Sequence, residues 1–270
     1  IKFGKPTEIA GKYAFKSLIA VTDSLKNAEI DVLVTAPINK ANIQKNQPEF
    51  IGHTEFLGEQ FKGDQLMIML SDSMKIAFVT GHIPLSEVAA SLSENKIFSK
   101  IKQLSQSLIQ DFGISKPKIA VIGLNPHAGE DGMLGKEEKE IISPAIQKAK
   151  QQNILVFGPY SADSFFTKEN LKNFDGVLAM YHDQGLTPFK TLSFSEGINY
   201  TAGLSVIRTS PVHGTAYDIA GKNCADERSF RNAVYMACDI YKKRQEYKTL
   251  TKNPLQATNL KKKTAFQIRN

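Results

Sequence analysis

The sequence predicts an α/β protein built on a largely parallel sheet flanked by helices. Short β-rich apolar runs alternate with longer segments of helical period. The clearest runs end at glycine or proline, and no internal repeat or low-complexity tract interrupts the alternation.

Asp31 to Thr35 (DVLVT) reads as a buried strand stopped by Pro37, and Lys75 to Thr80 (KIAFVT) as another, closed by Gly81 and Pro84. Ser86 to Phe112 carries apolar residues at helical spacing, broken near Ser93 to Asn95. Lys118 to Leu124 (KIAVIGL) is a strand running into Asn125-Pro126-His127-Ala128-Gly129. Lys136 to Gln151 reads as a helix that tolerates Pro144 only with a kink or a restart. Ile154 to Phe157, Gly176 to Met180 and Leu204 to Ile207 are further strands. A helix starts at Ser229, placed as its N-cap, and runs toward Arg244; Lys252 onward reads as a terminal extension.

A length of 270 residues admits one large α/β domain or two lobes sharing a cleft, with no linker to mark a boundary. No stretch reaches the 18 or so apolar residues of a membrane span, and no signal segment opens the chain at Ile1, so a cytoplasmic protein is expected. Cys224 and Cys238 belong to no Cys-x-x-Cys pair and read as ordinary thiols. The net charge of +7 is dispersed and densest toward the end, at Lys242, Lys243, Arg244, Lys261, Lys262 and Lys263. Without an aromatic-interleaved basic stripe it reads as a solvated surface, not a nucleic-acid site, and its field favours an anionic small substrate.

All five histidines, His53, His82, His127, His182 and His213, lie in short segments containing glycine or proline. Loops beyond the carboxyl ends of strands build the clefts of α/β sheets. His82, His127 and His182 each follow an apolar strand, and three neutral imidazoles suit a divalent ion with an open position. Their separations match no local metal motif, so spacing alone leaves open a tri-histidine site or three unrelated loop histidines. Asp183 and Asp163 are candidate carboxylates beside them, or simple caps of neighbouring turns.

Neither Gly-x-Gly-x-x-Gly nor a Walker loop is present, so a dinucleotide needs another site. The segment His213-Gly214-Thr215-Ala216-Tyr217-Asp218-Ile219-Ala220-Gly221 resembles the dinucleotide loop of isocitrate and isopropylmalate dehydrogenases. His213, Gly214, Thr215, Ala216 and Asp218 are thereby candidates to bind NAD or NADP.

Thr35-Ala36-Pro37-Ile38-Asn39-Lys40, Gly52-His53-Thr54-Glu55, Leu124-Asn125-Pro126-His127-Ala128-Gly129-Glu130, Ala179-Met180-Tyr181-His182-Asp183-Gln184-Gly185 and Arg208-Thr209-Ser210-Pro211 together resemble the 4-hydroxythreonine-4-phosphate dehydrogenases of vitamin B6 biosynthesis. The resemblance runs from about Gly11 to the helix after Ser229. It implies a two-lobed fold like that of isocitrate dehydrogenase, two intertwined lobes with a cleft between them. It also implies a homodimer whose active sites lie at the subunit interface. The metal ligands fall on His82, His127 and His182, for zinc, magnesium or cobalt. Substrate contacts fall on His53, Thr54, Lys190, Asn199 and Arg208, with Lys190, Asp183 and Asp163 as catalytic candidates. The substrate implied is 4-phosphooxy-L-threonine, oxidised by NAD at C3 and decarboxylated to 3-amino-2-oxopropyl phosphate. The family begins with a Gly-Asp/Glu-Pro-x-Gly-Ile-Gly segment ahead of the first residue here, so a chain lacking the N-terminal part of the family fold is expected. The alternatives are a related dehydrogenase of 4-phosphothreonate and, more remotely, a tri-histidine hydrolase.

Overall fold

The structure, a computed structural model, describes residues 2–255, so Ile1 and the tail lysines Lys261, Lys262 and Lys263 lie outside the described residues. The strands are β1 (Val32–Val34), β2 (Leu66–Leu70), β3 (Lys75–Phe78), β4 (Lys118–Ile122), β5 (Leu155–Tyr160), β6 (Gly176–Ala179), β7 (Ile198–Ala202) and β8 (Ile207–Pro211). They form one eight-stranded sheet in the order β1-β8-β7-β2-β3-β6-β4-β5.

Neighbours β3, β6, β4 and β5 run parallel, as do β1 and β8. Strand β2 is antiparallel to β3 and β7, and β7 to β8. The α/β class holds, and the sheet is mixed, with four parallel neighbour pairings and three antiparallel ones. Short connections account for the antiparallel β2–β3 and β7–β8 pairings: Ser71 donates its N–H to the Met74 carbonyl at 2.9 Å, and so tight a turn admits only an antiparallel return. Strands β2 and β7 escaped the sequence reading. The strand expected at Leu204 begins only at Ile207, because Gly203 turns there at φ 82° and a Cβ on it would meet the Asp64 carbonyl oxygen at 2.1 Å.

Helices α1 (Glu8–Lys26), α2 (Lys40–Gln44) and α3 (His53–Gln60) flank the β1 side. Thr7 and Asn39 cap the first two through side-chain oxygens. The expected break near Ser93 separates α4 (Leu85–Ser91) from α5 (Glu94–Gln110), with Ser93 capping the second. The expected restart at Pro144 is a π-helical turn over Glu138–Ile142 followed by α6 (Ser143–Gln151), which places proline in a first turn where its missing N–H is harmless. Next come α7 (Ala162–Phe165), α8 (Lys168–Lys172), α9 (His182–Ser193) and α10 (Arg228–Thr251). Ser229 does not cap α10: its Oγ donates to the Gly197 carbonyl at 2.6 Å and accepts the Val212 N–H at 3.2 Å, tying the helix to the β7–β8 region.

One sheet face packs Leu66, Ile68, Ile119, Val121 and Tyr200 in a core with Ile97, Ile101 and Leu104 of α5, Ile146 of α6 and Ala237 of α10. Within that core Asp111 accepts from Arg244 Nε at 2.7 Å, Tyr200 OH at 2.7 Å and Ser107 Oγ at 2.6 Å. The other face packs Met69, Ile76, Phe78, Ala120, Ile122, Val177 and Ala179 against Phe189 and Phe165. No helix among the described residues is long and apolar enough to cross a membrane.

Candidate functional site

Because β3, β6, β4 and β5 are parallel neighbours, their carboxyl ends share one edge of the sheet. His82 follows β3, His182 opens α9 after β6, His127 follows β4, and Asp163 lies in α7 after β5. Strand order therefore sets their order along the edge: His82, His182, His127, Asp163.

The His82 and His182 rings are 5.3 Å apart between centroids, tilted by 44°. His182 Nδ1 bonds Asp183 Oδ1 at 2.6 Å, which leaves Nε2 to act as a ligand. Burial lowers the His82 pKa, Lys40 and His182 lower it further, and Glu55 opposes them. The imidazole is thus neutral, the form that binds metals. His127 Nδ1 lies 3.9 Å from Asp163 Oδ2, beyond hydrogen-bond reach. Among the described residues, no three His, Cys, Asp or Glu side chains converge closely enough to hold a metal ion. The donor types fit a borderline divalent cation, and two of the three imidazoles are together, while His127 stands apart on its own loop.

On the second sheet face, Arg208 of β8 sits opposite Thr201 of β7 and is 4% exposed. Its Nε and Nη2 donate to Thr35 Oγ1 at 3.0 and 2.7 Å, and Nη1 to Thr201 Oγ1 at 3.4 Å. Nη2 also donates to His53 Nδ1 at 3.4 Å. Among the described residues no carboxylate pairs with this guanidinium. Burial pulls its pKa down to about 10, with Glu55 pulling the other way, so it stays charged at neutral pH. A buried cation with only neutral partners is unsatisfied until an anion arrives.

Burial, then Arg208 and Lys40, lower the His53 pKa to about 3. A neutral His53 accepting at Nδ1 carries its proton on Nε2, as a donor for a ligand oxygen. The unfolded chain takes up a proton here below the ordinary value of 6.5, whereas the folded one resists down to about 3. His53 therefore contributes stability that is present above pH 6.5 and lost as pH falls toward 3. We expect Tm of wild type to fall more steeply over that window than Tm of His53→Asn, in paired thermal melts; parallel curves would contradict it.

Thr54, Glu55, Met67, Phe78, Gly81 and His82 line one cavity of about 300 Å³, which brings the start of α3 together with the histidine edge. Asn199 Oδ1 is buried with no hydrogen-bond partner, an acceptor awaiting a donor. Lys190 is exposed on α9 and Asp183 is exposed beside His182. His213 Nδ1 donates to the Gly214 carbonyl at 3.0 Å, leaving Nε2 as an acceptor. His213 and Ala216 line, with Phe194, Ile219 and Ala225, a mostly apolar cavity of about 200 Å³. Gly214, Thr215 and Asp218 lie in the same loop, with Asp218 exposed.

Several residues carried no role in the sequence reading. Lys40 sets the charge around both His53 and His82. Thr35 and Thr201 orient the guanidinium. Buried Glu138 and Gln184 brace the His127 loop. Thr35, Lys40 and Gln184 stood inside quoted motifs, and that was their signal. Glu138, in a Glu-Glu pair on a charged segment, had none.

The chain matches the family described as "Pyridoxal phosphate biosynthetic protein PdxA" over residues 1–237. The 4-hydroxythreonine-4-phosphate dehydrogenase of Bacteroides thetaiotaomicron is 49% identical over 257 residues, 94% of this chain and 71% of that protein. The crystal structure of the enzyme of the same name from Klebsiella pneumoniae superposes with a TM-score of 0.78 at 35% identity, over 89% of this chain and 74% of that one. A terephthalate 1,2-cis-dihydrodiol dehydrogenase from Burkholderia xenovorans gives a TM-score of 0.64 at 25% identity, over 88% and 76%. The chain thus belongs to the PdxA family of pyridoxal phosphate biosynthetic proteins, an oxidoreductase family whose named relatives are dehydrogenases.

Proposed function

We propose that this chain catalyses the NAD-dependent oxidation of 4-phosphooxy-L-threonine at C3, followed by decarboxylation to 3-amino-2-oxopropyl phosphate. The observation that carries this reading is Arg208, a buried guanidinium with no carboxylate partner among the described residues, beside a neutral His53 that offers Nε2–H. Such a pair suits a phosphate or carboxylate oxygen. Thr54 and Lys190 add donors for the same anion. Asn199 Oδ1, buried and unpartnered, accepts from the amino or hydroxyl group of the substrate.

His82, His127 and His182 are the residues that would hold a divalent cation, and their nitrogen donors favour zinc or cobalt over magnesium. When bound, such an ion supplies Lewis acidity at the C3 oxygen, as NAD supplies the hydride acceptor. Asp183 orients the His182 ring, and Asp163 stands near His127 to do the same. As an alternative to gripping the anion, a deprotonated Lys190 in a cationic neighbourhood would take the C3 hydroxyl proton. The apolar cavity beside His213 and Ala216 has the character of a slot for the flat face of a purine. Gly214, Thr215 and Asp218 supply backbone and polar groups for the rest of the dinucleotide.

The reading includes a homodimer. Its support is the apolar rim of the site: Ile83, Leu85, Met133, Leu134, Leu192 and Phe194 are exposed, next to His82, the His127 loop and Lys190. A second copy covering them would also shield the reacting centre from water.

The test is NADH formation at 340 nm from 4-phosphooxy-L-threonine, with and without chelator, beside 4-phosphothreonate. Turnover of the amino substrate, abolished by chelator and restored by zinc or cobalt, is expected. Equal turnover with chelator present, or preference for the hydroxy acid, refutes the cation or the substrate respectively. His127→Ala is expected to lose turnover together with bound metal; unchanged metal content at normal activity would remove His127 from the ligand set.

A further inference from the structure

The loop that carries His127 holds five successive residues in the left-handed region, at φ 52° (His127), 51° (Ala128), 79° (Gly129), 39° (Glu130) and 57° (Asp131). Glycine adopts this conformation freely, but a residue with a side chain loses about 1–2 kcal/mol there. Such a run persists only where its surroundings over-determine it.

Lys139 holds the far end of the run by donating to the Asp131 carbonyl, and Glu138 holds the segment that leads into it. The Glu138 side chain is 4% exposed, and among the described residues it pairs with no lysine or arginine. Its Oε1 accepts the backbone N–H of Leu124 at 2.7 Å and of Asn125 at 2.8 Å, and its Oε2 accepts Asn125 Nδ2 at 2.9 Å. Glu137 Oε2 accepts from the same amide nitrogen at 2.7 Å. The loop is shaped around these groups. A Cβ on Gly129 would meet Glu138 Oε2 at 2.6 Å, and one on Gly135 would meet Asn125 Nδ2 at 2.2 Å. From the other side, Gln184 of α9 donates Nε2–H to the Gly123 carbonyl at 2.6 Å while its Oε1 accepts the Met180 N–H at 2.7 Å. That links the end of β4 to the helix that opens with His182.

We infer that Glu138 is a positioning residue: its buried carboxylate fixes the left-handed turn and so sets how far the His127 imidazole reaches toward His82 and His182. This rests on the cation reading above for its consequence, though the restraint itself stands on the hydrogen bonds. The Glu138 carboxylate bonds only Leu124 and Asn125 among the described residues, so it would act through the loop. A glutamine there can still accept the two backbone N–H groups through Oε1, but turns its Nε2 donors toward Asn125 Nδ2. Alanine removes all three contacts. The effect is therefore graded.

The experiment uses the full chain with Glu138→Gln, Glu138→Ala, His127→Ala and the double variant His127→Ala/Glu138→Gln. Zinc affinity is read by calorimetry, and backbone hydrogen exchange is followed at Ala128, Met133 and Leu134, whose N–H groups close the turn. Losing a residue that orients a ligand weakens metal binding about 10–100-fold, so glutamine is expected near the low end and alanine near the high end. Exchange at the three amides should rise in both. The double variant should bind zinc no more weakly than His127→Ala alone, because Glu138 acts through that imidazole. If alanine prevents folding, glutamine and the double variant still decide. Additive losses in the double variant would overturn the inference, as would unchanged exchange, or faster exchange with zinc affinity intact while His127→Ala weakens it. Should His127→Ala leave zinc binding untouched, the ligand assignment fails and with it any role for Glu138 in cation binding, while the exchange data still report on the restraint.

Discussion

Arg208→Met will remove nearly all turnover while lowering Tm by no more than about 3 °C, close to 1 kcal/mol for a domain of this size. The two effects part company because of how the guanidinium is housed. It lies buried among Thr35, Thr201 and His53 with no carboxylate bonded to it among the described residues and only Glu55 partly opposing its desolvation, so folding gains little from its charge. An isosteric apolar chain fills the same space. The substrate anion, however, loses its one fully desolvated partner, a loss of about 3–5 kcal/mol. That corresponds to roughly 10²–10⁴-fold in kcat/KM. Arg208→Lys should fall between, keeping the charge but not the fork that grips two oxygens. Paired kinetics and melts decide: activity within fivefold of wild type, or a large drop in Tm, would show that the residue serves the fold.

Asp111→Ala should give the converse, a drop of roughly 10 °C in Tm with kcat/KM unchanged at 25 °C. Asp111 and Arg244 form a buried ion pair at 2.7 Å, and Tyr200 and Ser107 complete the ring of donors. Removing the carboxylate strands a buried guanidinium, at a cost of about 3–5 kcal/mol. The network lies on the sheet face opposite the cavity, in the core shared with α5 and α10, so the reacting groups are untouched. Adding Arg244→Met should recover most of the loss, since the stranded charge and not the missing attraction is what destabilises. A Tm shift under about 2 °C in the single variant would mean that water reaches the pair.

The elements legible in the sequence were those whose pattern is local. The break at Ser93, the restart at Pro144 and the runs KIAFVT and KIAVIGL each announce themselves within a few residues. Strands β2 and β7 did not: LMIML has no alternation, INYTA is partly polar, and both take their identity from neighbours far along the chain. Ser229 looked like a cap because serine before an apolar helix usually is one, yet its hydroxyl found the Gly197 carbonyl instead. In the site, Arg208 and His53 were nameable from motifs and Asn199 from the family resemblance. What makes them functional was not, because the lack of a carboxylate bonded to Arg208 among the described residues and the unpartnered Asn199 oxygen are properties of packing. Glu138 was hidden for the same reason, since nothing in a Glu-Glu pair tells which carboxylate turns inward.

Strand β6 lies between β3 and β4 although the chain makes it after both. His82 and His127 are therefore carried by two strands that never pair with each other, held apart by β6, which places His182 between them. On the proposed ligand set, completing the sheet sets His82 beside His182, and closing the remaining gap to His127 falls to the loop that carries it.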